Sequence, residues 1–78
     1  AETRIAFTLS EPTRVRIVVY NVLGQSVRTL LSSNVAAGRH ELIWDGRNDR
    51  GIGIASGVYL YRLYAKDRVL SRSLVLLR

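Results

Sequence analysis

Thr13-Arg14-Val15-Arg16-Ile17-Val18-Val19-Tyr20 decides the fold class. Val15, Ile17 and Val19 alternate with Arg14, Arg16, Val18 and Tyr20, so one side of an extended chain is apolar and the other mainly polar. Valine and isoleucine branch at Cβ and fit a pleated strand better than a helix. The same period continues upstream, where Ile5, Phe7 and Leu9 alternate with Arg4, Ala6, Thr8 and Ser10. Glu11-Pro12 ends that run, because proline brings no N–H to a strand ladder. Downstream, Asn21-Val22-Leu23-Gly24 reads as a tight turn with Gly24 free to take positive φ.

Further along, Val27, Thr29 and Leu31 favour a third strand over a short helix from about Gln25 to Leu31, and Ser32-Ser33-Asn34 loosens the chain. After a turn at Ala37-Gly38, His40, Leu42 and Trp44 alternate with Arg39, Glu41 and Ile43 in a fourth strand. Gly46, Gly51, Gly53 and Gly57 with the polar run Arg47-Asn48-Asp49-Arg50 make 45–57 a loop. Val58 to Ala65 and Val69 to Leu77 are strands joined by a charged turn at Lys66-Asp67-Arg68. With no helical period between them, these runs predict an all-β antiparallel sandwich of about six strands. Its expected core is Ile5, Phe7, Val15, Ile17, Val19, Leu42 and Trp44, the single tryptophan being the largest plug.

Two strands are apolar on both faces: Val58 and Leu60 oppose Tyr59 and Tyr61, and Leu74 and Leu76 oppose Val75 and Leu77. A half-exposed strand is normally polar outside. Such a strand is either central or covered by a neighbour, or it offers a partner a recognition edge near the C-terminus.

The 78 residues bound the chain to one small domain, 1–78, and the absence of cysteine excludes disulfides and thiolate chemistry. With no methionine and Ala1 at the start, the chain reads as a piece of something longer. No run approaches the ~18 apolar residues of a membrane span, so direct membrane insertion is not expected. The net charge is +6, carried mostly by arginine. Those arginines are scattered along the chain without a basic run or interleaved aromatics, which argues for a solvated surface and against nucleic acid.

Catalysis finds little footing. His40 lies inside a strand pattern, no serine sits in a nucleophile elbow, and the six carboxylates are scattered. Asp45-Gly46-Arg47-Asn48-Asp49-Arg50-Gly51 has oxygens at alternating positions, but Arg47 puts a cation at the middle ligand position of a calcium loop. Asx turns explain that composition more simply. The glycines from Gly51 to Gly57 precede a strand, not the helix a dinucleotide site needs. The chain therefore reads as a non-enzyme without cofactor or metal. Trp44 and the tyrosines as sugar platforms are a weaker reading, since Trp44 shares its face with Leu42.

Five segments, in order, resemble a known family: 3–9 (TRIAFTL), 19–25 (VYNVLGQ), 37–46 (AGRHELIWDG), 55–63 (ASGVYLYRL) and 74–78 (LVLLR). They resemble the type A C-terminal sorting domain of the type IX secretion system of Bacteroidota, which is similar in turn to the immunoglobulin-like module of the flagellar hook-capping protein. The resemblance implies a seven-stranded immunoglobulin-like sandwich that addresses an upstream cargo domain to the outer-membrane translocon. The route would run through the periplasm to the cell surface or beyond, with shuttle and sortase proteins as partners and removal of the domain afterwards. Gly57 and Tyr59 match the Gly-x-Tyr motif. Leu74, Val75, Leu76, Leu77 and Arg78 match the apolar, base-ended terminus, which makes these seven the expected partner-recognition residues. The Tyr-Pro-Asn-Pro-like run that usually precedes the first strand does not stand before Thr3, being either missing or trimmed away. The hook-capping side of the resemblance implies a structural module or spacer instead.

Overall fold

The computed structural model describes residues 2–77. Its regular structure is six strands: β1 (Thr3–Leu9), β2 (Thr13–Tyr20), β3 (Ser26–Val35), β4 (Gly38–Trp44), β5 (Gly57–Ala65) and β6 (Arg68–Leu76). A two-stranded sheet, β1-β4, faces a four-stranded sheet in the order β3-β2-β5-β6, and every pairing is antiparallel. This is the expected all-β sandwich. The seventh strand implied by the resemblance is not among the described residues. The stretch before β5 instead closes on itself, through an isolated bridge between Arg47 and Gly53 and a backbone bond from Asn48 N–H to the Ile52 carbonyl.

The small sheet buries Ile5 and Trp44, and its rows pair Ile5 with Leu42 and Phe7 with His40. The larger sheet contributes Val15, Ile17, Val19, Tyr59, Leu63, Ala65 and Leu76. Two clusters result. Val15, Ile17, Leu63 and Ala65 form one, with Phe7 and Leu42 packed against it half-buried. Val19, Trp44, Tyr59 and Leu76 form the other. Each expected core residue is buried or packed on a cluster.

β3 departs from the expected boundaries. It runs on through Ser32, Ser33 and Asn34, which pair with Arg16, Val15 and Arg14 of β2. A ladder satisfies the backbone of polar residues as well as that of apolar ones, and Arg14 adds a bond to Ser32 Oγ at 3.1 Å. The pairing is irregular at Ile17/Val18 and Val19/Tyr20, and the first irregularity, which leaves Leu30 without a partner in the register, lets the adjacent Leu30 and Leu31 both pack on the core.

The β2–β3 turn forms as its residues predict. Asn21 Oδ1 accepts from the Leu23 and Gln25 amides at 3.0 Å, and Gly24 sits at φ +82°. A Cβ at Gly24 would touch nothing within 4 Å, so the backbone alone sets the cost of replacing it. Gly24→Ala is expected to destabilise by about 1 kcal/mol, a drop of about 4–8 °C in melting temperature. Thermal unfolding followed by circular dichroism checks this.

Candidate recognition surface

β6 ends the larger sheet, so one row of its backbone groups has no strand partner. The expected recognition residues gather at this end of the sandwich, in two kinds of environment. Gly57 pairs with Leu76, and Tyr59 with Leu74. Leu76 is buried, Leu74 packs half-buried on the Trp44 cluster, and the Tyr59 ring meets Trp44 edge-on at 5.7 Å. The Tyr59 hydroxyl donates to the Ala55 carbonyl at 2.7 Å, which ties the preceding loop to the sheet. On the solvent side, Val75 is 62% and Leu77 71% exposed, and Val58, the cross-strand partner of Val75, is exposed too. What a partner can touch here is Val58, Val75, Leu77 and the β6 edge, while Tyr59, Leu74 and Leu76 hold that strip in place. Arg78 lies outside the described residues. β5, apolar on both faces, is a central strand, and β6 is the edge.

A second surface was not legible from the sequence. On the outer face of the larger sheet Arg16 lies over the Tyr64 ring at 4.3 Å, Arg62 over Tyr20 at 5.6 Å, and the two tyrosine hydroxyls are 2.8 Å apart. Cross-strand pairing makes the lattice: Arg16 stands opposite Tyr64, and Val18 opposite Arg62. Val18, placed on the solvent side by alternation, is buried on this outer face of its sheet. Cation–π contacts and the shared hydroxyl bond keep these side chains lying across the sheet.

The shared bond splits the two phenols. The hydrogen bond from Tyr20, helped by a bond to Arg62 and the charges of Arg62 and Arg16, holds Tyr64 below the ordinary tyrosine value of 10.0 against the opposing effect of burial. The same bond, with burial and the Tyr64 charge, raises Tyr20 above it. The pair is thus expected to lose its first proton below pH 10 and its second above. Tyr64, with a depressed folded value, adds stability as pH climbs toward 10. Tyr20, with a raised one, takes stability away as pH rises past 10. Phenolate absorbance should therefore show a split titration, and Tyr20→Phe should move the early step back up.

The residues with chemical potential are tied to the framework. His40 Nε2 is 2.7 Å from the Ala36 carbonyl, and its ring stacks on Phe7 at 5.4 Å. Asp45 Oδ1 accepts from the Arg47 amide, Asn48 Oδ1 from the amides of Arg50 and Ile52, and Asp49 Oδ1 from the Thr29 amide. The bonds of Asp45 and Asn48 are the Asx-type bonds the composition suggested, while that of Asp49 pins the loop to β3. Arg28 reaches into the loop, its Nη1 3.4 Å from Asp45 Oδ1 and 3.2 Å from the Arg47 carbonyl. That guanidinium supplies positive charge among the oxygens.

Comparison with known proteins bears on the whole arrangement. The model of the family described as "FlgD Ig-like domain" matches residues 1–68. The chain belongs to that family. The FlgD-type match ends at the first residue of β6, so the exposed strip at the end of β6 lies beyond it. Among solved structures, FlgD from P. aeruginosa superposes with a TM-score of 0.73 at 21% identity, over 96% of this chain and 59% of that one. At that identity the likeness is one of fold. No curated protein matches. Of the two families the five segments resemble, the match carries the hook-capping one, and the Ig-like sandwich comes with it.

Proposed function

We propose that this chain is a non-catalytic structural module of the hook-capping kind, an Ig-like sandwich that a larger protein uses for spacing and contact within an assembly. The match of the FlgD Ig-like family over residues 1–68, which takes in five of the six strands, carries this reading. The commitment of His40, Asp45 and Asp49 to framework contacts supports it, because the groups that most often do chemistry are used to hold loops.

A second reading is favoured by one feature, the exposed strip of Val75 and Leu77 at the end of an edge strand. In that reading the module is a type IX sorting signal. Its cargo domain passes through the periplasm to the cell surface, and outer-membrane shuttle and sortase proteins read the C-terminal strip through Val75, Leu77 and Arg78, with Gly57, Tyr59, Leu74 and Leu76 holding it in place.

Fusing the 78 residues to a reporter in a type IX-competent host separates the two. The structural reading expects a folded fusion retained in the periplasm. Export of the reporter, lost when Leu77 and Arg78 are removed while the melting temperature stays within a few degrees, would overturn it in favour of sorting.

A further inference from the structure

The two sheets are unequal, and the mismatch leaves a groove of about 310 Å³ between β1 and the first half of β6. Its wall includes five consecutive residues of β1, Ile5 to Leu9. Side chains of a strand alternate between faces, so a wall of consecutive residues is the edge of the strand itself. Among the described residues β1 pairs only with β4, and this is its other edge. The floor comes from Tyr61 and Leu63 of β5 and from Arg68, Leu70 and Arg72 of β6.

Those three β6 residues stand opposite Ala65, Leu63 and Tyr61, on the face that turns toward the small sheet. The same row continues into half-buried Leu74 and buried Leu76, which are covered. Over Arg68, Leu70 and Arg72 the cover is missing, and Leu70 is 51% exposed on an inward position. The groove lining contains three arginines and no carboxylate. Arg39 is 3.8 Å from Glu41, while Arg68 and Arg72 have no ion-pair partner among the described residues.

We infer that this groove receives an extended segment of another polypeptide, which adds a strand to the free edge of β1 and presents an acidic–apolar–acidic row to Arg68, Leu70 and Arg72. Main-chain bonds to β1 supply affinity, and the alternating row supplies specificity. The wall of five residues, at ~3.3 Å each, admits a strand of about that length. The charge pattern selects against a second copy of this +6 chain. The inference rests on the groove alone and holds whichever assembly the module serves.

An alternative use of the same residues is protection, since inward-pointing charges also keep sheet edges from pairing. Amide NMR of the full 78-residue chain decides between them. The probe is a blocked nine-residue peptide with glutamate, valine and glutamate at three alternate positions and threonine elsewhere, against a control with lysine for glutamate. Expected are shifts concentrated on Ile5 to Leu9 and around Leu70, weakening with salt and roughly tenfold weaker binding for Arg68→Ser or Arg72→Ser. Both arginines are exposed, so the variants should keep the parent spectrum elsewhere. No shifts at millimolar peptide, equal binding of the lysine control, or shifts confined to the outer edge of β6 would overturn the proposal. Self-association of the serine variants without peptide binding would assign the arginines to protection instead.

Discussion

Trp44→Ala is expected to cost about 3–5 kcal/mol and to lower the denaturant midpoint sharply. The indole is fully buried at the end of β4, where β1 and β4 close over the larger sheet. It packs with Val19, Tyr59 and Leu76, and its Nε1–H donates to the Arg47 carbonyl at 3.0 Å. Truncation thus opens a cavity and frees a loop anchor together. A chain of 78 residues has a total stability of roughly 4–12 kcal/mol, so this one substitution removes a large share of it. Denaturant unfolding measures the loss directly. A variant that unfolds at the wild-type midpoint would mean that Trp44 is not the plug between the sheets.

The second large effect separates neighbours on β6. Leu76→Ala is expected to cost about 2–4 kcal/mol, because Leu76 is buried against the Trp44 cluster. Val75→Ala, one residue earlier and on the solvent side, is expected to cost under about 1 kcal/mol. The contrast tests whether the apolar end of the chain is one recognition strip or an inner row with an outer one. Comparable losses at both positions would mean that something covers the outer row as well. Comparable and small losses would mean that β6 does not close the sandwich.

The fold was legible wherever one row of side chains faced one core. Val15, Ile17 and Val19 announce β2 because both sheets bury that row, and Trp44 follows from its place two residues after Leu42. The misses share a cause: each depends on a neighbour distant in sequence. Val18 is buried on an outer face lined by Arg16 and by Tyr64 and Arg62 from β5, more than forty positions downstream. Ser32 to Asn34 remain in β3 because β2 supplies their pairing, whatever their own weak preference for extended chain. The groove was invisible for the same reason. Arg68, Leu70 and Arg72 read as an ordinary turn and strand start until the shortness of the β1-β4 sheet leaves them uncovered. For the expected recognition residues, both faces of these strands are apolar, so period two alone does not tell buried Tyr59 and Leu76 from exposed Val75 and Leu77.

An Ig-like sandwich with unequal sheets leaves one edge of β1 and one of β6 unpaired among the described residues. Amide hydrogen exchange, read residue by residue on the 78-residue chain, tests it most directly. β2 and β5, each flanked by two strands, should show the slowest exchange in the molecule. Every second amide of β1 and of β6 should exchange far faster, since those N–H groups point away from the only neighbouring strand. Uniform protection along β1 and β6 in the monomer would contradict the account, because both edges would then already be occupied.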